Sequence, residues 1–261
     1  MVHREDPNGL IVITQLAHAW ISGQLSRAWG NSEFGLVTPQ TEVNFAAEQH
    51  DLGWLEWERE PTLNPKTGRP YTFMELPVSI HTHLWGLAGP MALVQGGRYA
   101  ALLVSLHGSG LYTRRERKDG DEDAKLVREF IANSRAFEAE QTALLQDDKA
   151  YVPFLAPEVL ARNRRLIAVW DFLSLLLCMN LKAPRPLERV PTANGETAIT
   201  VAPLNGEGTH VSLAPWPFRE SSLTLVCEGR RLPETFTDEH AMRQALCAAP
   251  PVTIKFELKP A

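Results

Sequence analysis

Apolar positions recur at helical spacing along the first two thirds of the chain and alternate in short segments along the last third. Leu10 to Ile13 is a β-branched run that predicts a short strand. Thr14 then caps a helix reaching about Trp29, with His18, Ile21 and Leu25 on its apolar face. Thr38-Pro39 opens a second helix, in which Val43, Ala46, Ala47 and His50 recur at i, i+3, i+4 and i+7. His50 therefore lies on the buried face, and Asp51 on the flank beside it. Gly53 ends the pattern. From Leu55 to Phe73 the chain is broken by Pro61, Pro65, Gly68 and Pro70 and reads as a loop. Its Trp57, Arg69, Tyr71 and Phe73 suit either a pocket wall or a tryptophan-pinned connection.

Leu76-Pro77 begins a third helix that carries His81, His83 and Trp85 and bends or ends near Pro90. Tyr99 to His107 predicts a fourth, stopped by Gly108 and Gly110. Arg114 to Asp123 is a charged surface connection, followed by a fifth helix to Gln146. The sixth starts at Ala156-Pro157 and runs to about Asn180. Its second half is apolar nearly all round, which marks a central helix. Asp171 is the only charge in that half. An unpaired buried carboxylate costs several kcal/mol, so Asp171 requires a proton, a polar or cationic partner, or a metal.

After Asn180 the composition changes. Ala183 to Pro186 reads as a linker, and 197–201, 211–213, 223–227 and 252–258 read as strands, with a turn at Glu228-Gly229 and a short helix near 237–247. The expected fold is mainly α: a helical core over 1–182 and a small β-rich (α+β) appendage over 183–261, with the strand at 10–14 available to join the appendage's sheet.

Of the 261 residues 44% are hydrophobic and 22% charged, values of an ordinary globular chain. The net charge of −5 argues against a nucleic-acid or anionic-membrane binder and leaves a small molecule as the expected partner. The three cysteines have no C-x-x-C spacing, which points to a reducing cytoplasm. The N-terminus lacks a signal-peptide apolar core, and the run Leu166 to Met179 is too short to span a bilayer.

His18, His50-Asp51, His81 or His83, His107 and Asp171 fall on five different predicted helices. Histidines and carboxylates projecting into a helical core are the donor set of a mononuclear or dinuclear metal site. The order H…HD…H…H…D over residues 14 to 180 resembles the HD-domain superfamily of metal-dependent enzymes. Within it, the chain is similar to an uncharacterised bacterial family in Ile13-Thr-Gln-x-x-His18-Ala, His50-Asp-x-Gly-Trp54, Thr67-Gly-Arg-Pro70, Leu103-Val-Ser-x-His107-Gly-Ser-Gly-Leu-Tyr112 and Trp170-Asp-x-Leu-Ser174. The resemblance implies one or two divalent transition ions (Fe, Mn, Co or Zn). His18, His50, Asp51 and Asp171 would hold the first, and Asp51 would bridge to a second bound by His107 and one of His81 and His83. Those two residues point about 200° apart on a helix, so only one can face the site.

Many HD hydrolases carry a lysine soon after the HD pair. Here Gly53-Trp54 follows, and Arg69, with Arg114 or Arg115, is the candidate to grip a phosphate, with a loop-bracing salt bridge as the other reading of Arg69. The leading expectation is a phosphohydrolase acting on a small phosphorylated or nucleotide-like molecule, with Asp51 and Arg69 at the reacting centre. The alternatives are a diiron oxygenase that cleaves a C–C or C–P bond with O2, and a non-enzymatic helical binding module.

Overall fold

A computed structural model of the chain describes residues 1–113 and 122–261. Seven helices are present among these: α1 (Gln15–Ala28), α2 (Gln40–Gln49), α3 (Leu55–Glu58), α4 (Val78–Tyr112), α5 (Glu122–Gln146), α6 (Pro157–Cys178) and α7 (Glu239–Ala248). The strands are β1 (Val2–Asp6), β2 (Gly9–Ile13), β3 (Leu63–Asn64), β4 (Arg69–Pro70), β5 (Arg185–Pro191), β6 (Glu196–Pro203), β7 (His210–Ala214), β8 (Leu223–Leu232) and β9 (Pro251–Pro260). Half of the chain is helical, and seven of the nine strands form one curled sheet. The fold is therefore α+β, which overturns the expectation of a mainly helical protein with a small β appendage.

The sheet order is β1-β2-β8-β9-β7-β6-β5, antiparallel except where β7 runs parallel to β9. Two strands escape the hydrophobic pattern, and they are the two edges. The β1 strand is charged from His3 to Asp6, yet Arg4 is buried because its guanidinium reaches the carbonyls of Leu177 (2.8 Å) and Glu207 (2.5 Å). The β5 strand begins in the segment that reads as a linker and carries Pro186 and Pro191, which an edge tolerates because one side of its backbone needs no partner. At Glu228-Gly229 the expected turn is absent, and β8 runs straight through to Leu232.

Along β8 and β9 every second residue is buried, including Leu225, Cys227, Phe256 and Leu258. That face meets the helices. Helix α1 packs on β8, and α6 on β5 and β1. Helices α1, α2, α4 and α6 pack on one another, and α5 lies along α4. One continuous hydrophobic core runs from Val12 and Ile13 through Trp29 and Trp170 to Phe256. The two helices expected on either side of Pro90 are one element, α4, broken instead at Gly97, whose φ is 77°. No helix among the described residues is long and apolar enough to cross a membrane.

Candidate metal centre

Four segments of chain converge at one point. Thr14 caps α1 by accepting a hydrogen bond from the Ala17 amide at 3.0 Å, which sets His18 one turn into the helix. Helix α2 ends at Gln49, so His50 is its C-terminal cap. Asp51 leaves the helix with φ −97° and ψ 16°, a sparsely populated conformation common at sites. The tight turn Leu52–Trp54 that follows lies directly on α4. A β-carbon on Gly53 would sit 2.0 Å from the Leu84 carbonyl oxygen, so only glycine permits that approach. Helix α4 supplies His107 and α6 supplies Asp171.

His18, His50, Asp51 and His107 are buried, each at most 2% exposed, and the Asp171 side chain is 14% exposed. Asp51 Oδ2 lies 2.5 Å from His18 Nε2 and 3.5 Å from His50 Nε2. Asp171 spans two histidines, with Oδ1 3.5 Å from His50 Nε2 and Oδ2 3.3 Å from His107 Nε2. Two donor sets follow, His18–His50–Asp51 and His50–His107–Asp171, each with its ligand atoms within 4.8 Å of one another.

The tautomers are fixed by the second ring nitrogens. His50 Nδ1 faces the Ala47 carbonyl at 2.9 Å, and a carbonyl can only accept, so Nδ1 carries the hydrogen. Ser174 donates its own hydrogen to the Asp171 carbonyl at 2.7 Å. It therefore accepts from His18 Nδ1 at 2.9 Å and from Ser22 at 3.0 Å. Both Nε2 atoms are thereby the ones turned toward carboxylate oxygens, His18 Nε2 at hydrogen-bonding distance from Asp51. Lone pairs facing anions repel unless a proton or a metal ion stands between them. His50 Nε2 and His107 Nε2 are buried with no hydrogen-bond partner. These orphaned nitrogens and the mixed imidazole–carboxylate donors fit a divalent transition ion.

The electrostatics agree. Burial favours neutral His50, but the Asp51 and Asp171 carboxylates outweigh it and push its pKa up to about 9. Burial likewise favours neutral Asp171, but the His107 and His50 imidazoles beside it hold it well below the usual carboxylate range. The pocket is built to attract positive charge.

The other expected residues are elsewhere. His81 lines the cavity above the centre, where Nε2 donates to the Phe73 carbonyl and the ring stands edge-on to Trp54 at 5.1 Å; it belongs to neither donor set. His83 is on the outer side of α4, 57% exposed and 2.8 Å from Glu56. Arg69 sits on β4 and bonds Glu5 at 3.0 Å, away from the residues that line the cavity. Arg114 and Arg115 lie outside the described residues.

The cavity, about 380 Å³, has Asp51, His107 and Asp171 at its floor and Trp54, Phe73 and Trp85 among its walls. Gln15 and Arg164 also line it. Gln15 belongs to the Ile13-Thr-Gln-x-x-His18-Ala motif, whereas Arg164 does not stand out in the sequence, although it is seven residues before Asp171, two turns along the same face of α6. Ser174, three residues after Asp171, belongs to the Trp170-Asp-x-Leu-Ser174 motif, but the sequence gives it no role in orienting His18.

Fold and site together define an α+β protein with a buried histidine–aspartate cluster at the base of an aromatic cavity. The chain belongs to the family described as protein of unknown function (DUF3891), whose model matches residues 1–234. Comparison with curated proteins and with solved structures gives no match.

Proposed function

We propose that this chain is a metal-dependent phosphohydrolase of the HD type, acting on a small phosphorylated molecule. The observation that carries the reading is the pair of histidines, His18 and His50, that spend Nδ1 on protein acceptors and aim Nε2 at carboxylates. The cluster runs H…HD…H…D along the chain, which is the order of the superfamily resemblance without the ligand expected at His81 or His83. One or two divalent ions (Fe, Mn, Co or Zn) would be held by His18, Asp51, His107 and Asp171, with His50 Nε2 a ligand to one of them. A divalent ion supplies Lewis acidity toward a phosphoryl oxygen and lowers the pKa of water.

The chain's own contribution is orientation and exclusion. Ser174 and the Ala47 carbonyl hold two imidazoles in the ligating tautomer. Asp51 serves both of them through one oxygen, and Asp171 serves His50 and His107 through two. Trp54 and Trp85 keep bulk water from one side of the floor. A cavity of about 380 Å³ is at the small end for ligand sites, which suits a metabolite and not a nucleic acid. The three free cysteines suit a cytoplasmic location.

Protein purified without chelator should contain one or two transition ions per chain and release phosphate from nucleotides with Mn2+ or Co2+ in the absence of O2. Asp51→Ala should abolish metal binding; stoichiometric metal in that variant sinks the proposal. Iron-dependent O2 uptake without phosphate release would replace hydrolysis by an oxygenase reaction. No bound metal, with an unchanged melting temperature in His50→Ala and Asp171→Ala, would leave a binding module.

A further inference from the structure

The cavity has a second polar end that the proposed chemistry does not use. Arg164 lines it, half-buried, and makes no hydrogen bond or ion pair among the described residues. Its neighbours on α6 are committed: Arg162 donates to the Phe34 carbonyl at 2.9 Å and Arg165 to the Arg189 carbonyl at 2.9 Å. Glu138, an acid that feels the charge of Arg164, is engaged by Ser105 at 3.0 Å and Ser109 at 2.8 Å. A guanidinium that lines a cavity with no acid hydrogen-bonded to it among the described residues suits an anionic ligand group.

Its position matters as much as its charge. Nη1 of Arg164 lies 3.6 Å from where a β-carbon on Gly110 would be, and Gly110 is three residues beyond His107 on α4. On α6, Arg164 is seven residues before Asp171. With a rise of 1.5 Å per residue the cation stands one to two turns from the floor, roughly 5–10 Å. Ala168, which also lines the cavity, lies between Arg164 and Asp171 on the same helix. Leu111 and Phe172 are 37% and 43% exposed there, apolar surface that a ligand would cover. Nearer the floor, Gln15 Oε1 and Trp54 Nε1 are buried without hydrogen-bond partners, one an acceptor and one a donor.

We propose that the cavity takes a two-ended organic anion, with a phosphoryl group at the histidine–aspartate floor, a flat apolar body between the aromatic walls, and a second anionic group on Arg164. The assignment of the first end rests on the metal-centre reading, whereas the seat on Arg164 does not.

The test is calorimetric titration with two non-hydrolysable probes, phenylphosphonate and 4-carboxyphenylphosphonate. The protein is full-length, with and without Mn2+, and free of O2. Wild type should bind the carboxylated probe at least tenfold more tightly. Arg164→Leu should lose that advantage yet keep its affinity for phenylphosphonate, and Arg164→Lys should keep part of the advantage. The inference is overturned if wild type binds the two probes equally, if it binds neither, or if Arg164→Leu retains the full difference. If the Arg164-dependent advantage appears but Mn2+ improves the binding of neither probe, the seat on Arg164 stands and the metal-centre reading falls.

Discussion

His18 has two ring nitrogens with separate tasks, and Ser174 assigns them. The Ser174 hydroxyl gives its one hydrogen to the Asp171 backbone carbonyl, so it can only receive from His18 Nδ1. Nε2 is thereby the nitrogen turned to Asp51, 2.5 Å away, and the one a metal ion would take. Ser22 donates to the same hydroxyl, so three helical positions tie one imidazole in place. Removing such an outer hydrogen bond typically lowers metal affinity by about 10–100-fold. Ser174→Ala should do so in competition with a chromophoric chelator. It should also destabilise the protein by about 1–3 kcal/mol, because the His18 Nδ1–H loses its acceptor in a dry site. Unchanged metal affinity would mean that something other than Ser174 orients His18.

Between elements, the decisive contact is the turn after Asp51 against α4. Gly53→Ala would place a β-carbon 2.0 Å from the backbone oxygen of Leu84, and neither partner is a flexible side chain. Overpacking of this kind costs about 1–3 kcal/mol or more. Thermal melting should show the loss, and metal affinity should fall with it as Asp51 is displaced. Gly86→Ala on the same helix meets nothing within 4 Å and should leave the melting temperature unchanged or slightly higher. An equal loss in both variants would show that helical glycines, and not this contact, are responsible.

The same elements show what the sequence made readable. The apolar periodicities of α1, α2 and α6 carried His18, His50 and Asp171 inward, as the spacing implied. The edge strands were hidden because an edge can hold charges and prolines that a central strand cannot, as β1 and β5 do. The helical angle that separates His81 from His83 was readable, but which of them faces inward depends on how α4 packs against the Leu52–Trp54 turn. Arg69 suits a phosphate ligand or a loop-bracing salt bridge in sequence, and its ion pair with the distant Glu5 is of the second kind. Arg164 carries no such signal, since an arginine two turns from an acid on one helix is ordinary surface unless a cavity opens between them.

At the scale of the molecule, helices and sheet share one core, and the site is held by both. Helix α1, which bears His18, packs on β8, and α6, which bears Asp171, packs on β5 and β1. The family match ends at residue 234, yet β9 lies beyond it at Pro251–Pro260 and occupies the middle of the sheet between β8 and β7. Without β9, those two strands lose their shared partner, and the buried faces of Leu225, Cys227 and Leu213 lose Ile254, Phe256 and Leu258 from the core. The sheet under α1 would be cut into two pieces with unpaired edges, a state prone to aggregation. A chain ending at Glu234 should therefore lose its cooperative thermal transition and its transition-metal content together, although every donor of the cluster is retained. Near-ultraviolet circular dichroism and metal analysis of the truncated protein check this directly. A cooperative melt with metal bound would show that the helices form the centre without the sheet, and would restore the view of the last third as an appendage.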